Sequence, residues 1–104
     1  MKEITPKELK KMLDEKSNIQ LIDVREPHEI DIASIGGELI PMGEVMSNLD
    51  KISKDKQVVI YCRSGRRSGS IVQALEQQGY TNLYNLQGGI LQYADEVDNT
   101  LAKY

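Results

Sequence analysis

Short apolar runs alternate with helix-patterned segments along this chain, and no other feature constrains its fold as much. Ile19 to Val24, Glu38 to Ile40, Gln57 to Tyr61 and Asn82 to Leu86 read as strands. The clearest, Gln57-Val58-Val59-Ile60-Tyr61, is β-branched and apolar at successive positions, as expected of a strand covered on both faces. Helical spacing fills the intervals. Thr5-Pro6-Lys7-Glu8 supplies a cap, a proline at the first helical position and a capping-box glutamate. Leu9, Met12 and Leu13 then share one face, and Asn18 ends the element. Glu26-Pro27 restarts a short helix to about Ile32. Gly36-Gly37 is a turn, and Pro41 stops the strand that begins at Glu38. Met42, Val45, Met46 and Leu49 are spaced as the core face of a helix. A longer helix follows Arg67 to about Gln78, with Ile71, Val72 and Leu75 inward and Gly79 as its stop. Gly88-Gly89 breaks the chain before a last short helix, and the tail from Asp95 to Tyr104 is expected on the surface. This alternation predicts an α/β fold with a mainly parallel sheet of about five strands and helices on both faces.

The chain has 104 residues, so residues 1–104 are read as a single domain. A two-lobed enzyme with its own cofactor domain does not fit this length. The formal net charge is −3, which disfavours nucleic acid and anionic membranes as partners. One Cys and one His leave no basis for an internal disulfide or a Cys/His zinc site. Met1 to Gln20 alternates charged with single apolar residues, without the apolar run of a signal peptide. A cytoplasmic protein with one reduced thiol is the expectation.

The chemistry concentrates where the strongest strand ends. Cys62 follows Tyr61 directly, and Arg63-Ser64-Gly65-Arg66-Arg67 then leads into a helix. Ligands of parallel α/β folds gather at the carboxyl ends of strands. Small residues let successive backbone N–H groups converge as an anion nest, and the following helix aims its positive end at the same point. A thiolate there is stabilised, and nearby arginines bind oxyanions. A free Cys at a strand end is ordinarily an inert small hydrophobe. Three arginines within five residues argue for a reactive thiolate beside a site for a sulfur or phosphorus oxyanion.

Leu21-Ile22-Asp23-Val24-Arg25-Glu26, Cys62-Arg63-Ser64-Gly65-Arg66-Arg67 and Gly88-Gly89-Ile90 together resemble the ordered motifs of the rhodanese (thiosulfate sulfurtransferase) family. The resemblance runs from Ile4 to Tyr93. Ile35-Gly36-Gly37-Glu38-Leu39-Ile40-Pro41 and Ala94-Asp95-Glu96-Val97-Asp98 bring it nearest to the rhodanese domain fused to E1-like adenylating enzymes of sulfur-carrier pathways. The resemblance implies a rhodanese-like fold and a catalytic Cys62. That residue would carry sulfane sulfur as a persulfide from thiosulfate or another anionic donor to a thiophilic acceptor. Arg63, Ser64, Gly65, Arg66 and Arg67 would bind the substrate, their amides holding the persulfide charge. No metal or organic cofactor is implied. A sulfur-donor protein such as a cysteine desulfurase, or a ubiquitin-like sulfur carrier, would be the partner. Phosphatases of related fold carry an Arg six positions after the Cys, and here that position is Ser68. The alternative is a redox- or persulfide-sensing or protein-binding module in which Cys62 is modified without turnover.

Other residues invite simpler readings. Asp23 and Arg25 read as a structural ion pair near the site, and Glu29 as a partner of Arg25 one turn on. His28 is of the residue type that serves as a general base, but an ionised Cys needs none. Ser68 and Ser70 read as helix-start residues that satisfy free amides. Tyr93 stands where the family usually has Trp. Asp95, Glu96 and Asp98 form a solvated acidic face rather than a metal site.

Overall fold

The computed structural model describes residues 1–104. Five parallel strands form one sheet: β1 Glu3–Ile4, β2 Ile19–Asp23, β3 Glu38–Leu39, β4 Gln57–Tyr61 and β5 Leu83–Leu86. Their spatial order is β1-β5-β4-β2-β3. Four helices accompany them: α1 Pro6–Asp14, α2 Pro27–Ile30, α3 Arg66–Gln77 and α4 Gly89–Glu96. No helix is long and apolar enough to cross a membrane.

Period-two alternation along β4 explains the two layers. Val58 and Ile60 face one core with Ile71, Val72 and Leu75 of α3. Val59 and Tyr61 face the other with Leu9 of α1 and Ile90 and Tyr93 of α4. Both faces are dry, so the strand reads as continuously apolar in sequence. The α1 start is built as its residues predict: the Thr5 hydroxyl accepts from the Glu8 amide at 3.1 Å, and Glu8 accepts from the Thr5 amide at 2.9 Å.

Several expectations need correction. The two-residue β1 pairs with β5 although nothing in its composition marks a strand. The segment from Met42 to Leu49 is not an α-helix. Met42–Ser47 forms a 3-10 helix, and Leu49–Lys51 a second. At three residues per turn Val45 is buried in the core and Leu49 packs against it, while Met42 and Met46 stay 37% and 50% exposed. The tail also departs from the surface: Leu101 and Tyr104 pack against the α1/α4 layer.

The connections place the site. From β2 the chain moves outward to β3, then returns across the sheet to β4 and continues to β5 on the other side. The carboxyl ends of β2 and β4 therefore flank the point where the winding reverses, the crevice where such sheets bind ligands. Asp23 and Tyr61 are paired there, and the Val24 amide donates to the Tyr61 carbonyl at 3.1 Å. Val24 and Cys62 are the next residues of the two strands.

Candidate active site

Cys62 leaves β4 into a loop whose shape depends on one glycine. Gly65 has φ +95°, in the left-handed region that residues with a Cβ adopt at a cost of about 1–2 kcal/mol. That conformation turns the chain into α3 and aims its amide back at the thiol. The Gly65 N–H donates to Cys62 Sγ at 3.1 Å, the Ser68 N–H at 3.5 Å and the Ser68 hydroxyl at 3.3 Å. Arg66 and Arg67 open α3, so their amides have no acceptor within the helix and add to its positive end.

These donors set the state of the sulfur. Cys62 is 1% exposed, and burial alone pushes its thiol up. Hydrogen bonds from the Ser68 hydroxyl and from the Ser68, Gly65 and Ser64 amides outweigh burial and hold the thiol below its ordinary value.

The loop is braced from behind by α4. Ile90 and Leu91 donate their amides to the Cys62 and Arg63 carbonyls at 3.0 and 3.1 Å. Gly89 must be a glycine: its φ is +62°, and a Cβ there would lie 2.3 Å from the Arg63 carbonyl oxygen. The loop carbonyls are thus turned toward α4, and the loop amides toward the sulfur. Gly88-Gly89-Ile90 acts as a buttress and touches no reacting atom.

Asn85 on β5 forms a second brace that no sequence motif marks. Its Nδ2 donates to the Gly65 carbonyl at 3.0 Å, and its Oδ1 accepts from the Ser68 hydroxyl at 2.5 Å. Ser68 has one proton to share between Asn85 Oδ1 and Cys62 Sγ. Its role is therefore larger than that of a helix-start residue. The signals available for this pair were a Ser at the sixth position after Cys62 and a polar residue inside an otherwise apolar strand.

The arginines separate into different roles. Arg67 is bound bidentately to Glu29 at 2.8 and 2.9 Å. This corrects the expected Glu29–Arg25 side-chain pairing. The Arg67 guanidinium holds the Glu29 carboxyl down to about 2, against an opposing effect of burial. Glu29 also accepts from the Glu26 amide at 2.8 Å, closing the start of α2, while its pair with Arg67 ties α2 to α3. Arg25 is fully buried, and its guanidinium meets the Asp23 carboxylate at 2.8 Å and the Ala33 carbonyl at 2.9 Å. Asp23 and Arg25 thus form the structural ion pair that their sequence positions suggest. Arg63, Ser64 and Arg66 are exposed on the loop. The Arg63 guanidinium lies over the Tyr104 ring, 5.1 Å from its centroid. His28 is exposed, and Tyr93 lies buried in the α1/α4 layer. Asp95 pairs with Lys103, and Asp98 accepts from Thr100, so this acidic segment makes local contacts away from Cys62.

The sequence profile of the rhodanese-like domain matches residues 5–96. This chain belongs to the rhodanese-like family. A rhodanese-like domain protein from Staphylococcus aureus, known from its crystal structure, superposes with a TM-score of 0.83 at 34% identity. The superposition covers 100% of this chain and 99% of that one. A protein of Allochromatium vinosum named sulfurtransferase is 41% identical over 93 residues, covering 88% of this chain and 87% of its own. The probable adenylyltransferase/sulfurtransferase MoeZ of Mycobacterium tuberculosis is 38% identical over 104 residues. That match takes in 97% of this chain but only 26% of MoeZ, so the rhodanese-like chain spans about a quarter of that relative.

Proposed function

We propose that this chain is a sulfurtransferase that carries sulfane sulfur on Cys62, with thiosulfate or a persulfidated protein as donor. The observation that carries the reading is the buried Cys62 sulfur with amide and hydroxyl donors converging on it. The family and the sulfurtransferase name of the Allochromatium relative support it.

The chemistry follows from these contacts. The Cys62 thiolate attacks the outer sulfur of thiosulfate. A new S–S bond forms, the old one breaks, and sulfite leaves with its electron pair. The resulting persulfide carries its charge on the outer sulfur, where the open amides of Arg66 and Arg67 and the positive end of α3 stabilise it. Arg63 and Arg66 attract the anionic donor, since Arg67 is already neutralised by Glu29. An acceptor nucleophile such as cyanide then attacks the outer sulfur, takes it as thiocyanate and returns Cys62 to thiolate. Sulfur is transferred at each step, and no metal or organic cofactor enters. The Ser68 hydroxyl points at Sγ from the position where Cys-dependent phosphatases carry an arginine. The loop therefore suits a sulfur atom better than a tetrahedral phosphate. A free thiol as working group fits a reducing compartment, which we take to be the cytoplasm. The physiological partner in this reading is a sulfur-donor or sulfur-carrier protein.

The test is intact mass after incubation with thiosulfate and rapid desalting. A gain of one sulfur atom that cyanide removes, absent from Cys62→Ser, is the expected result. If thiosulfate fails but a persulfidated cysteine desulfurase loads Cys62, the donor is the protein. If neither loads it, the carrier reading falls and a sensing or binding module replaces it.

A further inference from the structure

The C-terminal tail brings one residue into the site that no motif points to. Tyr104 touches three segments of the chain at once. Its hydroxyl accepts from Arg25 Nη1 at 2.8 Å and donates to Glu29 Oε1 at 2.9 Å. Its ring lies beneath the Arg63 guanidinium at 5.1 Å. Glu29 Oε1 also receives Arg67 Nη2 at 2.9 Å, so the hydroxyl joins the same node that ties α2 to α3.

We propose that Tyr104 is a positioning residue for anion capture: its anchored ring holds the Arg63 guanidinium at the rim of the Cys62 loop. The inference rests on the sulfurtransferase reading and names what selects its anionic donor. Two observations carry it. The first is the different state of the three loop arginines. Arg67 is held by Glu29, and Arg66 is exposed with no side-chain partner among the hydrogen bonds and ion pairs of the loop. Arg63 alone combines exposure with a fixed seat. An exposed arginine ordinarily samples many rotamers, and ordering it opposes binding. Stacked on a ring whose own hydroxyl is pinned at two points, Arg63 is ordered before the anion arrives, and its five N–H donors stay free at the guanidinium edge. The second observation is the division of labour within Tyr104. The hydroxyl faces Arg25 and Glu29, and the ring faces Arg63, so chemistry can separate them.

The experiment compares alkylation of Cys62 by anionic iodoacetate and neutral iodoacetamide on the full chain. The rate ratio cancels changes in thiolate content and reads the attraction of an anion alone. Tyr104→Ala and Arg63→Ala are each expected to lower the iodoacetate/iodoacetamide ratio by about two- to fivefold, the range of one partly solvated charged contact. Tyr104→Phe keeps the ring but loses its two pins and is expected to fall between the parent and Tyr104→Ala. The Tyr104→Ala/Arg63→Ala double variant is expected to fall no further than either single change. An undiminished ratio in Tyr104→Ala overturns the proposal, as does a full extra drop in the double variant. If Tyr104→Phe falls as far as Tyr104→Ala, the ring is not the working part and the proposal fails. In thiosulfate:cyanide turnover the same effect appears as a raised KM in Tyr104→Ala, with a smaller change in kcat. The alkylation ratio does not depend on turnover. Failure of both thiosulfate and a persulfidated desulfurase to load Cys62 would therefore sink the sulfurtransferase reading while leaving the Tyr104 result standing.

Discussion

At the scale of residues, the site is a sulfur atom met by donors from the loop and from α3, both held by a third element, β5. Gly65 and Ser68 contribute from the loop and α3, while Asn85 orients both from β5. Ser68→Ala removes the one side-chain donor to Cys62 Sγ, and the thiolate loses a charge-assisted hydrogen bond. Hydrogen bonds to the charged sulfur hold the thiol down, so its pKa should rise when this one is lost. The pH profile of iodoacetamide alkylation measures this directly: its midpoint moves to higher pH in Ser68→Ala, and the rate below that midpoint falls. An unmoved midpoint would mean that the backbone amides alone set the thiolate. The Cys62 loop could be read from sequence because strand, thiol, glycine and arginines are contiguous. Asn85 could not, because its partners lie on segments that only the sheet brings beside it.

At the scale of elements, the site depends on how helix starts are aimed. The amino end of α3 faces the sulfur, and that of α4 faces the loop carbonyls. The opposing orientations fix which side of the loop presents N–H groups. Gly89→Ala tests this brace. The change forces a Cβ into positive φ and to within 2.3 Å of the Arg63 carbonyl oxygen, against backbone that has little room to yield. The left-handed conformation alone costs about 1 kcal/mol or more, and the clash adds to it. Thermal denaturation should show a lower Tm, and iodoacetamide should find a less reactive Cys62 as the loop amides shift. A variant with wild-type Tm and alkylation rate would show that α4 does not position the loop. The 3-10 segment shows where sequence spacing misled. Met42, Val45, Met46 and Leu49 fit a helical face on paper, but Pro41 starts the segment and Gly43 lies inside it, and it winds more tightly than an α-helix.

At the scale of the whole molecule, one carboxylate links the elements around the Cys62 loop. Glu29 joins Arg67 of α3, the Tyr104 hydroxyl of the tail and the Glu26 amide before α2. Its carboxyl is held down to about 2 from the ordinary 4.5, chiefly by Arg67. A depressed folded-state pKa gives stability that is fully present above the unfolded value. That stability is lost as pH falls through the folded value, so the window runs from about 4.5 down to 2. The Glu29 side chain is only 8% exposed, and the full shift corresponds to about 3 kcal/mol. Urea unfolding of the protein and of Glu29→Gln at stepped pH should give curves that differ most at neutral pH and converge across that window. Parallel curves would remove Glu29 from the acid response.

The sequence by itself determined the parallel α/β class, the capped first helix, the strand that delivers Cys62 and the donor-rich loop after it. Each is written in contiguous residues, where period, capping chemistry and turn glycines act over a few positions. Tertiary structure decided the rest. It paired the two-residue β1 with β5, left Met42 and Met46 at the surface, gave Arg67 to Glu29 and folded Tyr104 back beneath Arg63. Those outcomes depend on which distant groups meet. Contacts between segments far apart in the chain arise from competition among many possible partners for the same buried charge or face, and that competition is settled only when the layers close on the sheet.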